Sequence, residues 1–122
     1  MKFKAVNKNT EFNRAYRRGQ SFVDRTVVLY VIKNRYGFTR IGITASKKVG
    51  NAVKRNRARR VIRESVRQLN LDMTQSVDII LVARSKTPHV KQQVVYGQLK
   101  NLCEKAGLIP NEMAEQITVA EE

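Results

Sequence analysis

The sequence predicts an α+β domain: a mixed sheet with three helices, packed mainly on one of its faces. Apolar residues recur at helical spacing in three stretches, and β-branched runs with two-residue alternation lie between them. The order along the chain is α-β-β-α-β-α. Its 122 residues suit one compact unit, residues 1–110, followed by an acidic stretch at 111–122. That last stretch reads as a tail or a short extra helix, and no role is assigned to it.

The first helix is "NKNTEFNRAYRRG", with Asn7 or Asn9 as its cap and Gly19 as its stop. Phe12, Ala15 and Tyr16 share one of its faces. "SFVDRTVVLYVIKN" reads as strand, and a break near Asp24 would raise the number of strands from three to four. "NRYG" turns the chain, and "TRIGITAS" returns as a strand. There Ile41, Ile43 and Ala45 alternate with Arg40, Gly42, Thr44 and Ser46. A long helix follows over about residues 51–70, then the buried strand "SVDIILVAR". "KTPHVKQQVVYGQLKNLCEKAG" closes the domain as a helix, with Thr87 as cap, Pro88 at its first position and Gly107 as stop. The long helix joins two strands and can serve as a crossover between parallel neighbours.

Charge is the outlier. Lys and Arg number 24 against 10 acids, a formal net charge of +14. Such a balance repels itself and steers the chain toward polyanions, nucleic acid first. The longest apolar run, "VVLYVI", is far too short to cross a bilayer. The opening "MKFKAVNKNTEF" lacks the apolar core of a secretory signal, which predicts a cytoplasmic protein without a membrane partner. Cys103 is the single cysteine and reads as a small buried hydrophobe. His89 reads as an exposed first-turn residue.

The charge concentrates in "SKKVGNAVKRNRARRVIRES". With Ala58 at zero degrees, Val61, Ile62, Ser65, Val66 and Leu69 fall within about 80 degrees of it, a core-facing stripe. Asn56, Arg57, Arg59, Arg60, Arg63 and Arg67 occupy the remaining arc. Arg59, Arg63 and Arg67 form a like-charge ladder at i, i+4. Lys54, Arg55 and Arg57 sit near the first turn, where the helix dipole is already positive. Each conflict costs only a few tenths of a kcal/mol, up to about 1 kcal/mol. Their accumulation points to a polyanion that relieves them in the working state. Arg forks match phosphate in bidentate fashion. N–H groups near Gly50, Asn51 and Ala52 can add donors, with Lys47 and Lys48 just before them.

A second surface is suggested by "VVLYVI", apolar at both parities. If Val27, Leu29 and Val31 face the core, then Val28, Tyr30 and Ile32 face the other way, where Phe12 and Tyr16 could join them. An aromatic trough beside a basic helix would hold single strands by base stacking. Spacing alone favours ordinary core for these aromatics over such a trough.

"SKKVGNAVKRNRARRVIRE", with its Arg55-Asn56-Arg57 core, resembles the signature of the bacterial ribonuclease P protein component. "EFNRAYRRGQSFVDRTVVLYV", "IGITASKKVGNAVKRNR" and "DIILVAR" extend the resemblance over roughly residues 6–107. It implies an α/β sandwich with a mixed four-stranded sheet, like the second domain of a small-subunit ribosomal protein. The Arg-rich helix would form a left-handed crossover. It also implies that a large RNA is the catalyst, cutting the 5′ leader from precursor tRNA with Mg²⁺ held at the RNA active site. The protein would then be an accessory subunit with no catalytic side chain and no cofactor of its own. Arg55, Asn56, Arg57, Arg60 and Arg63 would contact the catalytic RNA, flanked by Lys47, Lys48, Asn51 and Lys54, with Arg59 and Arg67 on the same arc. Phe12, Tyr16, Val28 and Tyr30 would form the leader cleft, which raises the trough above the core reading. The family often carries Phe where this chain has Tyr16, a change that stacking should survive.

Three rivals remain. A protein-only nuclease would need converging carboxylates, and Glu11, Asp24, Glu64, Asp72 and Asp78 are scattered without ligand spacing. A general RNA-binding or ribosomal protein would use the same basic helix but needs no leader cleft. A DNA-binding regulator lacks support, since neither a helix-turn-helix pair nor a dimerising heptad is present.

Overall fold

The computed structural model describes residues 4–109. Residues 111–122, read above as a tail or extra helix, lie outside them. The strands are β1 (Lys4–Ala5), β2 (Gln20–Val23), β3 (Val27–Lys33), β4 (Arg40–Thr44) and β5 (Val77–Ala83). The helices are α1 (Asn9–Arg18), α2 (Ala52–Gln68) and α3 (Gln92–Lys105), with short 3-10 turns at Lys47–Val49 and Thr87–His89.

One sheet holds all five strands in the order β1-β4-β5-β3-β2. This corrects the four-stranded expectation. The break at Asp24 is real and separates β2 from β3, while β1 adds a fifth strand parallel to β4. A two-residue strand held by backbone pairing leaves no alternation to read in the side chains. β4 and β5 are parallel neighbours, and α2 is the crossover between them. β3 runs antiparallel to β5 and to β2. β5 is therefore central and covered on both faces, which is why its sequence is an almost unbroken apolar run.

Strand parity divides the sheet as expected. Val27, Leu29, Ile41, Ile79 and Leu81 face one side and pack against Ala58, Ile62 and Val66 of α2 and Val95, Leu99 and Leu102 of α3. Fully burying a side chain such as Ile62 contributes about 1.5–3 kcal/mol. On the other side Val6, Ala15 and Ile80 form a smaller cluster with Phe12, Tyr30, Ile32 and Val82. Two helices thus cover one face, and α1 lies on the other.

Two caps differ from expectation. Lys8, not Asn7 or Asn9, precedes α1, and it makes no side-chain cap. Thr87 does not cap α3. Its hydroxyl accepts from the Arg84 N–H and donates to the Thr26 carbonyl, so it locks a separate 3-10 turn to the β2–β3 connection. Pro88 belongs to that turn, and α3 begins four residues later.

Cys103 is buried, and burial pushes its thiol up to about 12, so it is inert at neutral pH. Among the described residues no helix is long and apolar enough to cross a membrane. Gly97 sits inside α3 with nothing within 4 Å of where a Cβ would lie. Gly97→Ala is expected to stabilise the fold by about 0.5–1 kcal/mol, read as a higher urea midpoint at unchanged slope.

Candidate nucleic-acid interface

α2 presents its charge because its other face is fixed. Ala58, Ile62, Ser65 and Val66 are buried, which leaves Asn56, Arg57, Arg60, Arg63 and Arg67 exposed. Arg57, Arg60 and Arg63 make no ion pair among the described residues. Arg67 lies 3.5 Å from Glu64, both half-exposed, a pairing worth little in water.

The start of the helix is built with care. The Asn51 side chain accepts from the Lys54 N–H at 3.0 Å, and its carbonyl accepts from the Arg55 N–H. Gly50 has φ +139, and a Cβ there would meet the Lys54 side chain at 2.7 Å, so only glycine fits the approach. The Gly50 N–H is bonded to the Lys47 carbonyl, which removes it from the donors expected to be open. Arg55 also departs from the outward arc. It is half-buried, and its Nη1 donates back to the Gly50 carbonyl at 3.0 Å. Asn56 Oδ1 accepts from Arg59 Nη2 at 2.7 Å, holding Arg59 along the helix. Lys47, Lys48, Asn51 and Lys54 are all exposed beside this start.

The aromatic residues come together on the opposite face of the sheet. Tyr16 and Tyr30 meet edge-on with ring centroids 5.1 Å apart, and Phe12 lies 6.5 Å from Tyr16. Gly42 makes this possible, since a Cβ there would sit 2.8 Å from the Phe12 ring. Phe12 and Tyr30 are half-buried against Ile80 and Ala15, while Tyr16 is 39% exposed. Partial burial, and then the neighbouring Tyr30, push the Tyr16 hydroxyl above its ordinary value. Val28 pairs with Val23 and Val82, and Val82 pairs with Thr44, extending the same face beyond α1 toward the end of β4. Val23 is 60% exposed there. The two alternatives for these aromatics thus both hold in part: one edge of the cluster is core, and the other is open.

The trough is not beside the basic helix, as the sequence suggested. It occupies the other face of the sheet from the core on which α2 packs.

One constellation escaped the sequence. Arg40 Nε and Nη2 grip Asp78 at 2.8 and 2.6 Å, and Nη2 also reaches Glu11 at 2.6 Å. Asn34 Nδ2 donates to Asp78 at 2.8 Å, and the Tyr36 ring lies 4.1 Å from the guanidinium carbon. The Asp78 hydrogen bond, against opposing burial, holds the Arg40 proton more firmly than usual, with Glu11 adding to it. The three charges are 29 and 38 residues apart in pairing, so no local motif announces them. They tie α1 to β4 and β5. Among the described residues no group of three His, Cys, Asp or Glu could hold a metal ion.

Comparison with known proteins agrees with this architecture. A family model described as Ribonuclease P matches residues 1–107. The Ribonuclease P protein component of Clostridium botulinum (strain Loch Maree / Type A3) is 43% identical over 109 residues, which is 88% of this chain and 98% of that one. That of Clostridioides difficile (strain 630) is 36% identical over 107 residues, 86% of this chain and 93% of its own. The Staphylococcus aureus RNase P protein superposes with a TM-score of 0.75 at 32% identity, over 88% of this chain and 99% of that one. The Thermotoga maritima RNase P protein gives 0.71 at 25% identity, over 84% and 96%. Sequence, fold and relatives converge, and the chain belongs to the Ribonuclease P family, that of the ribonuclease P protein components.

Proposed function

We propose that this chain is the protein subunit of a ribonuclease P ribonucleoprotein, binding its catalytic RNA through α2 and the 5′ leader of precursor tRNA in the aromatic trough. The observation that carries the reading is the exposed arc of Arg57, Arg60 and Arg63, none of them in an ion pair among the described residues, on a helix whose other face is locked in the core. Phosphates of a folded RNA are the natural counter-charge for such an arc. Asn56 and the lysines at 47, 48 and 54 flank it, and Arg55 contributes more by shaping the helix start than by reaching outward.

Tyr16 and Tyr30, with Phe12 beneath and Val28 beyond, offer ring edges and faces to unpaired bases. The protein so placed assists removal of the leader without supplying a catalytic side chain. Mg²⁺ for the cleavage is assigned to the RNA. The two acids that converge here, Glu11 and Asp78, are committed to Arg40, so the donor set does not fit a protein-held ion.

Tyr16→Ala and Tyr30→Ala are expected to weaken binding of leader-bearing precursor tRNA by roughly 1–3 kcal/mol each. Affinity for mature tRNA should stay unchanged in the same protein–RNA complex. Equal losses for both substrates would return the two rings to a purely structural role.

A further inference from the structure

The acids of this chain are as unevenly placed as its bases. Four of the ten, Glu112, Glu115, Glu121 and Glu122, fall in the last eleven residues, which contain no Lys or Arg.

The residues just before them fix where that acidic segment sets out. Leu108 is 2% exposed in the core, and Ile109 packs against the same core. The Leu108 carbonyl accepts from the Asp72 N–H at 3.2 Å, and the Gly107 carbonyl accepts from Gln75 Nε2 at 3.0 Å. The chain is thus pinned against the α2–β5 connection, a few residues past Leu69, which ends α2. From there residues 110–122 can span at most about 45 Å, whereas Arg67 to Arg57 is about 15 Å along the helix axis.

α2 meets that segment with charge it has not matched. Arg57, Arg60 and Arg63 are exposed without an ion pair among the described residues, and Arg67 has Glu64 at 3.5 Å. The arginines of the other basic helix, Arg14, Arg17 and Arg18 of α1, lie on the other face of the sheet. Carboxylates tethered within reach of the α2 arc act on it at an effective concentration of about a millimolar. They relieve the like-charge repulsion between its turns.

We propose that residues 112–122 bind the exposed arginines of α2 whenever RNA does not, as an internal stand-in for phosphate that RNA must displace. A ligand matching the whole arc displaces all four carboxylates, whereas a passing contact with one arginine gains little against them. That the segment competes with RNA rests on the RNA-binding reading above; the contact itself does not.

Two measurements on the full chain test this. A nitroxide on Thr118→Cys reads the contact, since Cys103 is buried and does not take the label. It should broaden the side-chain NMR signals of Arg57, Arg60 and Arg63 more than those of Arg14 and Arg17. The difference should vanish at about 1 M salt, where the screening length is about 3 Å. Equal broadening of both sets overturns the proposal. Changing the four glutamates to Gln should then raise affinity for the catalytic RNA about three- to tenfold at low salt. The same four changes in a chain whose Arg57, Arg60 and Arg63 are Gln should give no such gain. An equal gain there would be net charge alone and would overturn the competition. If the label finds the arc but neither the four glutamates nor Arg57→Ala alters RNA affinity, the contact stands and the RNA-binding reading fails.

Discussion

Arg40→Ala is expected to cost about 3–5 kcal/mol of folding stability, the range for removing one partner of a buried ion pair. Asp78 is 3% exposed on the central strand, and Arg40 supplies two of its hydrogen bonds. With the guanidinium gone, only the Asn34 amide remains to a carboxylate that water cannot reach. Glu11 loses its ion pair at the same moment and keeps only a 3.4 Å hydrogen bond from the exposed Tyr36 hydroxyl, so the polar tie of α1 to β4 and β5 is gone. Because α1 carries Phe12 and Tyr16, the loss should also blur the distinction between precursor and mature tRNA. Arg40→Lys keeps the charge but not the fork, so it should fall between. Arg40→Leu with Asp78→Leu should recover much of the stability, since two apolar residues can replace a buried pair at little cost. Urea denaturation reads all three, and a loss below about 1 kcal/mol for Arg40→Ala would show that Asp78 is solvated after all.

Replacing Arg57, Arg60 and Arg63 together with Gln should do the opposite: a large loss of RNA binding at almost no cost to the fold. At about 0.7–0.9 of a counterion per contact, the salt dependence should flatten by two to three units. Affinity for the catalytic RNA at moderate salt should fall roughly a hundredfold. The three residues are exposed and sit at i, i+3 from one another, so their mutual repulsion is relieved and stability should hold or rise by a few tenths of a kcal/mol. Filter binding across a salt series, with urea melts alongside, checks both halves. An unchanged slope would mean that the arc faces water in the complex.

The elements that carry strong periodicity were legible. The stripe on α2 and the two parities of β3 fell where their spacing put them, because each is a local pattern imposed by burial on one face. β1 was not legible, since two residues paired through their backbone need no particular side chains. Thr87 carried a cap signal that was chemically sound but spent on another element. The arc of exposed arginines could be read from the helix alone, whereas the trough could not, because Phe12 and Tyr30 serve the core and the open surface at once. Arg40, Asp78 and Glu11 lay wholly beyond reach: their meeting is a product of strand order and of where α1 docks.

The placement of the basic arc and the trough on opposite faces of one sheet has a mechanical consequence. Two RNA segments held there would be separated by a layer of close-packed side chains, Ile41, Ile79 and Leu81 against Ile62 and Val66. Such a layer resists compression and cannot stretch as a tether would. On the proposed function the protein would act as a gauge block: it would fix how far apart the two strands lie, and salt would loosen the grip at either face without changing the gap.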